Sequence, residues 1–438
     1  LTFHPPPAER VVLDNGMVIY LLEDHSLPLF RLHALIRTGS IYDPPDKAGV
    51  ATLTGQVLRD GGTERMDSET LNEELDFIAA SLETDIGLEM GSVSLSLLQK
   101  DIDVGLAILA DVLRRPVFSE DAFLVAKGRL QESIRRENDQ AGRLASREFR
   151  KQLYAHSPYG RYPTLQSVSR IQRADLQAFH RRYFVPNNLI LAIAGDFERA
   201  ALLQKLQDLF ADWAPQQVSF PPLPEVKPPP TMRVYYIEKE IPQTQIRLGT
   251  LGIRRNSPDL FPVRVMNYIL GSGGFAARLF RTVRSERGLA YDVGSFFDLF
   301  VYQPGPFLAF AETKASSTYA VVSLMREEID RIRTEPVSDE ELAAAKEAII
   351  NRFVFAFDSS AEVVMRRALV EYEGLPPDYL ETYRERIAAV SKEDVLRVAQ
   401  KYLQPERMIL LLVGNKAAFD KPLEAFGPVT TLSLPTEN

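Results

Sequence analysis

The chain of 438 residues contains no cysteine. Disulfides, thiolate metal sites and a cysteine nucleophile are therefore excluded. Histidine is scarce as well: His4, His25, His33, His156 and His180 are the whole set, and no two stand three or four residues apart. The paired helical spacing that many hydrolytic zinc sites use is thus missing. No apolar run approaches the ~20 residues that a helix needs to cross a bilayer. An excess of positive charge is also lacking, since 51 Lys and Arg face 59 Asp and Glu for a net charge of −8. That balance disfavours nucleic acid or an anionic membrane as a main partner, because both demand a basic face. What is present is the composition of a soluble globular protein, 45% hydrophobic and 25% charged, long enough for about two to four units. The chain begins at Leu1 rather than Met. A removed leader is compatible with that start, and with the absent cysteines it favours a bacterial periplasmic location, the cytoplasm staying open.

The sequence repeats itself about a proline-rich centre. Residues 215–230 hold seven prolines, which fix φ and remove donors, so the segment reads as an extended interdomain linker. On either side, Asp175-Leu-Gln-Ala-Phe-His-Arg-Arg-Tyr-Phe-Val-Pro186 matches Asp394-Val-Leu-Arg-Val-Ala-Gln-Lys-Tyr-Leu-Gln-Pro405 at an offset of 219. The same offset relates Gly195 to Gly414, Ser119 to Ser338, Ala126 to Ala345 and Lys127 to Lys346. The chain is a tandem duplication with expected domains 1–214 and 231–438.

Each half combines strands and helices in groups. Residues 11–22 carry two apolar runs around Asn15-Gly16, a hairpin signal. Residues 189–194 and 408–413 are short apolar runs ending at Gly, expected as buried strands. Ser119 and Ser338 precede acidic residues and open long helical stretches. The fold class is α+β: two duplicated α/β-roll domains, each a mixed, mainly antiparallel sheet covered by helices.

The order of these features resembles the pitrilysin/insulinase (M16) zinc metallopeptidase family, in the two-domain branch of the mitochondrial processing peptidase subunits. The resemblance rests on Leu13-Asp-Asn-Gly16, Thr38-Gly-Ser-Ile-Tyr-Asp43, Leu75-Asp-Phe-Ile-Ala-Ala-Ser-Leu82 and Arg115-Arg-Pro-Val-Phe118. It continues through Ser157-Pro-Tyr-Gly160, Tyr183-Phe-Val-Pro-Asn-Asn188, Gly195-Asp-Phe197, Arg278-Leu-Phe280 and Arg284-Ser-Glu-Arg-Gly-Leu-Ala-Tyr291.

Active members carry His-x-x-Glu-His on a helix of the first domain, two zinc ligands and a general base, with a further Glu from the next long helix. Aligned through Gly49 and Gly61-Gly-Thr63, this chain puts Thr52 and Gln56 at the ligand positions and Gly55 at the base. Glu132 falls near the place of the remaining ligand, where a solvated or salt-bridged carboxylate is the plainer reading. Thr and an amide are poor zinc ligands, and Gly offers no base. The resemblance therefore implies a subunit with a degenerate zinc site, no metal of its own and no peptidase activity alone.

A second family feature is kept: an Arg and a Tyr seven residues apart in the second domain, here Arg284 and Tyr291. The resemblance implies that they bind the substrate carbonyl and stabilise the oxyanion. Residues 276–287 read as a helix ended by Gly288, with a strand from Tyr291, so the two side chains are expected within reach of each other. On sequence alone the plainer reading is a surface helix charge and a half-buried strand residue, and the resemblance reverses that preference. Gly271-Ser-Gly-Gly274 reads as a tight turn, or as a peptide-binding loop like that of the non-catalytic processing-peptidase subunit. The implied assembly is a heterodimer in which a homologous partner supplies zinc and this chain supplies Arg284 and Tyr291 for peptide cleavage. The alternative is a catalytically silent scaffold comparable to the core subunits of the respiratory bc1 complex.

Overall fold

The computed structural model describes residues 5–434. The first half runs β1 (Glu9–Val12), β2 (Val18–Glu23), β3 (Leu29–Ile36), α1 (Val50–Asp60), α2 (Ser68–Phe77), β4 (Ser81–Ile86) and β5 (Gly91–Leu98). It continues with α3 (Ile102–Arg114), α4 (Glu120–Glu137), α5 (Ala141–Leu153), α6 (Leu165–Arg170), α7 (Arg173–Tyr183), β6 (Leu189–Gly195) and α8 (Arg199–Phe210). The second half runs β7 (Arg233–Glu238), β8 (Gln243–Leu251), α9 (Leu260–Asn267), β9 (Ala290–Phe297), β10 (Pro306–Lys314) and α10 (Thr318–Thr334). It ends with α11 (Asp339–Val354), α12 (Ser360–Tyr372), α13 (Tyr379–Ala388), α14 (Lys392–Tyr402), β11 (Ile409–Gly414) and β12 (Val429–Thr431). Residues 215–229 between the halves form neither helix nor strand.

Two six-stranded sheets result, ordered β1-β2-β6-β3-β5-β4 and β12-β7-β11-β8-β10-β9. Five positions correspond, and in each sheet the central pair (β2–β6, β7–β11) is parallel while β3 or β8 runs antiparallel to it. The outer strand differs: β1 enters through the Asn15-Gly16 hairpin and is antiparallel to β2, whereas β12 is parallel to β7. Gly16 sits at φ 82°, the left-handed value that such a turn needs and glycine supplies cheaply. The architecture is α+β, with mixed sheets covered by helices.

The offset of 219 survives in three dimensions. It carries α7 onto α14 at both ends, Arg173 to Lys392 and Tyr183 to Tyr402, and α5 onto α12, Ala141 to Ser360 and Leu153 to Tyr372. It also carries a side-chain contact. The Lys127 ammonium donates to the Ser169 carbonyl at 3.0 Å, and Lys346 donates to the Ala388 carbonyl at 2.8 Å. A lysine there holds the C-terminal turn of a neighbouring helix or the residue beyond it, where carbonyls are left without intrahelical donors.

The equivalent helices α5 and α12 are exchanged between the compact units. One unit comprises Leu1–Arg135, Arg161–Pro222 and Val354–Glu381; the other comprises Arg136–Gly160, Leu223–Phe353 and Thr382–Asn438. The central strand β6 is buried along its whole length, so both faces of its sheet need cover. In the first unit α12 supplies it: Ala361, Val364, Ala368 and Tyr372 pack on Leu35, Ile190, Ala192 and Ala194. Polar contacts orient it. Arg10 donates twice to the Glu371 carboxylate at 2.7 and 2.8 Å, the Tyr20 hydroxyl donates to it at 2.6 Å, and the Tyr372 hydroxyl donates to the Glu89 carbonyl at 2.6 Å. In the second unit α5 takes the same role on β8 and β11. There Arg247 donates to the Gly142 carbonyl and the Ser146 hydroxyl, each at 3.0 Å.

Candidate functional site

In the first unit the sequence alignment points to α1. Its start is organised by Asp43, whose carboxylate accepts from the amides of Gly49 at 2.7 Å and Ala51 at 2.8 Å, donors that a helix start leaves free. Thr52 is half-buried, Gly55 buried and Gln56 exposed. Gly55 is held against β4. The Thr84 hydroxyl donates to its carbonyl at 2.6 Å, and a Cβ there would lie 2.6 Å from the Ile86 nitrogen and 3.0 Å from the Asp85 carbonyl carbon. Both neighbours are backbone, so no side chain fits without moving the helix off the strand.

Glu132 on α4 has a side chain 47% exposed and pairs with Arg135 at 3.6 Å. Gln56 lines an open groove of about 1190 Å³ bounded by the end of α1, the start of α2, β4 and one face of α4. Among the described residues no group of three or more His, Asp or Glu side chains is placed to hold a metal ion. A zinc ion does not fit this donor set: a hydroxyl, an amide and a carboxylate already engaged by an arginine are poor partners for it.

The histidines serve elsewhere. His33 is half-buried on β3 and His156 is exposed, while His25 pairs with Asp196 at 2.7 Å. His4 lies outside the described residues. His180 is buried on α7, stacked on Phe184 and edge-on to Phe118. Its Nε2 meets the Leu113 carbonyl at 2.9 Å. Burial disfavours the cation and pushes its pKa down to about 4.

In the second unit the structure brings Arg284 and Tyr291 together. The chain leading to them is not the regular helix expected over 276–287. A single 3-10 turn, Gly274–Ala276, is followed by a π-helical segment, Phe280–Glu286. The segment closes on Gly288 at φ 64°, whose amide donates to the Arg284 carbonyl while the Leu289 amide donates to that of Val283, both at 3.0 Å. This paired closure needs a left-handed residue, and glycine provides it. Below, Arg278 is buried and bidentate to Glu341 at 2.7 Å, and the Thr282 hydroxyl donates to buried Glu328 at 2.8 Å.

Tyr291 is placed by a second irregularity. Along the β9–β10 ladder Glu312 faces Asp292 and Thr313 faces Ala290, so Tyr291 is the extra residue of a β-bulge. A bulge re-aims a side chain that alternation would otherwise direct. The Tyr291 ring is 72% exposed and lies against Arg284, whose guanidinium carbon is 5.5 Å from its centroid and 4.8 Å from that of Phe280. Ring faces on a guanidinium hold it by cation–π attraction and leave its in-plane N–H groups as available donors. Phe280 in turn meets Phe275 edge-on at 4.7 Å, and Phe275 is 82% exposed.

Phe280 entered the sequence reading only within the Arg278-Leu-Phe280 motif, and Phe275 escaped it. The four-residue step from Phe280 to Arg284 was the available signal for one of them. Phe275, next to a glycine turn, gave none. The glycine run itself has a packing reason at Gly271, where a Cβ would lie 2.4 Å from the Ser295 nitrogen on β9.

Comparisons with known proteins find similarity in both halves of the chain. A family model described as insulinase (peptidase family M16) matches residues 20–162, and one described as peptidase M16 inactive domain matches residues 170–349. The chain is 24% identical over 401 residues to a non-peptidase homolog, YmxG, of Helicobacter pylori, covering 90% of this chain and 91% of that protein. It is 24% identical over 397 residues to an uncharacterized zinc protease of Rickettsia felis, covering 89% and 93%. The crystal structure of a peptidase M16 inactive domain from Pseudomonas fluorescens superposes with a TM-score of 0.86 at 27% identity, over 96% of this chain and 100% of that one. A protease from Helicobacter pylori superposes with a TM-score of 0.84 at 17% identity, over 93% and 99%, a likeness of fold alone.

Proposed function

The chain belongs to the M16 peptidase family, and from that premise we propose that it is the non-catalytic subunit of a heterodimeric zinc metalloendopeptidase. The supporting observation is an asymmetry between its two candidate regions. In the first, the base position is a glycine pressed against strand backbone, and Thr52, Gln56 and Glu132 offer no metal site. In the second, a β-bulge and a π-helical segment present Arg284 and Tyr291 side by side and open to solvent.

In this reading a homologous partner supplies the metal that activates water. This chain contributes donors: the Arg284 guanidinium holds a peptide carbonyl, and the Tyr291 phenol donates to the same oxygen as it gains charge. The domains 1–214 and 231–438 would divide these roles, the first carrying the degenerate zinc site and the second the Arg–Tyr pair. A periplasmic location suits the reading and does not carry it.

A scaffold without catalysis is the second reading, favoured by the Helicobacter pylori relative that is named a non-peptidase homolog. Reconstitution separates the two. The chain alone should cleave no peptide, and mixing it with a zinc-bearing homologue from the same host should give turnover that neither shows alone. Equal turnover by the homologue with and without this chain would sink the catalytic role and leave the scaffold.

A further inference from the structure

The aromatic side chains beyond the Arg–Tyr pair have no role in the reading above. Phe275 stands 82% exposed immediately after Gly274, which adopts φ 59° with nothing within 4 Å of where a Cβ would lie. Water-exposed phenylalanine is not unusual by itself. This one is edge-on to Phe280 at 4.7 Å, and Phe280 lies under the Arg284 guanidinium, which lies under Tyr291. The four side chains form one run of alternating contacts: ring edge on ring, ring face on cation, cation on ring face. Phe280 is nearly buried, so the exposed ends of the run are Phe275 and Tyr291, with the guanidinium donors between them. No acidic side chain among the described residues pairs with Arg284.

We propose that Phe275 is a specificity-determining residue, and that with the Phe280–Arg284–Tyr291 stack it forms a subsite for an aromatic or large apolar side chain of a bound peptide. The inference rests on the proposed peptide-binding role of Arg284 and names what that site selects. An extended peptide whose carbonyl is held by Arg284 places the neighbouring side chain a few ångströms away, about the reach to the next ring of the stack. An incoming ring would cover the open side of Phe275, which gains both area burial and an edge-to-face contact. A charged side chain there would meet apolar surface and gain neither.

The test uses fluorescein-labelled, C-terminally amidated hexapeptides of alanine and serine in which one phenylalanine is walked through the positions. Binding to the full chain is read by fluorescence polarisation. The wild-type chain should favour at least one phenylalanine register over the all-alanine/serine peptide by about tenfold. Phe275→Ala should erase that preference, and Phe275→Tyr should restore it. A preference that survives Phe275→Ala, or a wild-type chain with no preference, overturns the assignment. Arg284→Ala separates the carbonyl-holding role from the subsite, because it should weaken every peptide alike. If Arg284→Ala changes no affinity, the peptide-binding role falls and the subsite falls with it. If Arg284→Ala weakens all peptides while Phe275→Ala leaves the preference intact, only the subsite falls.

Discussion

Replacing Gly55 with alanine sets two effects of known sign against each other. In the interior of an exposed helix the change stabilises by about 0.5–1 kcal/mol, since alanine loses less backbone freedom on folding. At Gly55 the added carbon would stand 2.6 Å from the Ile86 nitrogen and 3.0 Å from the Asp85 carbonyl carbon. Neither atom can swing aside, because β4 is pinned by its ladder to β5, with Ile86 facing Gly91 and Asp85 facing Ser92. Helix and strand must separate by several tenths of an ångström, and overpacking of this kind costs about 1–3 kcal/mol. The collision should win, leaving Gly55→Ala less stable than wild type by about 1–2 kcal/mol.

Gly128 supplies the control. It lies inside α4 with nothing within 4 Å of its built Cβ, so Gly128→Ala should stabilise by about 0.5–1 kcal/mol. Urea midpoints of the three proteins, measured side by side, decide the matter. If Gly55→Ala is as stable as Gly128→Ala, the helix is not held against the strand as described. For the same reason the combined substitutions Thr52→His, Gly55→Glu and Gln56→His should not install a peptidase, because the new carboxylate arrives with the same colliding Cβ.

Other outcomes follow from the same structure. Tyr291→Phe removes one hydroxyl from an exposed ring that still stacks on Arg284, so assembly and unfolding midpoint should be unchanged. Turnover of the reconstituted pair should fall roughly 10²–10³-fold, the usual loss for one oxyanion donor; equal turnover would make the tyrosine a strand residue only. Arg284→Ala should raise KM as well as lower kcat, read from steady-state kinetics of the same pair. Elemental analysis of the chain purified alone should find no stoichiometric zinc, and one zinc per chain lost on Glu132→Ala would refute the degenerate reading of α1. His180 titrates in the folded state near 4 rather than its ordinary value near 6.5, because burial disfavours its cation. Its neutral form therefore contributes stability that is complete above pH 6.5 and lost as pH falls toward 4, about 3 kcal/mol in all. Unfolding free energies from pH 7 to 4 should decline less steeply for His180→Gln, which keeps a donor for the Leu113 carbonyl without titrating in that range.

What could be read from the residues was whatever local chemistry or internal repetition writes into a linear string. The Asn15-Gly16 hairpin was legible because few residues accept φ above zero, and the apolar runs at 189–194 and 408–413 because a strand buried on both faces has no polar alternation to confuse it. The offset of 219 carried the duplication, and the structure repeats it down to the lysines at 127 and 346. At the aligned positions of α1 the residue types were legible by themselves, since neither a hydroxyl nor an amide can be mistaken for histidine. Tertiary structure decided what depends on partners distant in sequence. That α5 and α12 each cover a sheet built mostly by the other half could not be seen, because equivalent helices with similar apolar faces fit either sheet on composition. That Gly55 is compressed against Ile86, and not merely a missing carboxylate, required the helix–strand distance. The meeting of Arg284 with Tyr291 was expected from spacing, but its geometry came from a bulge and a π-helical turn. Both are set by how β9 pairs with β10 and how the segment closes on Gly288, and neither leaves a mark in hydrophobic periodicity.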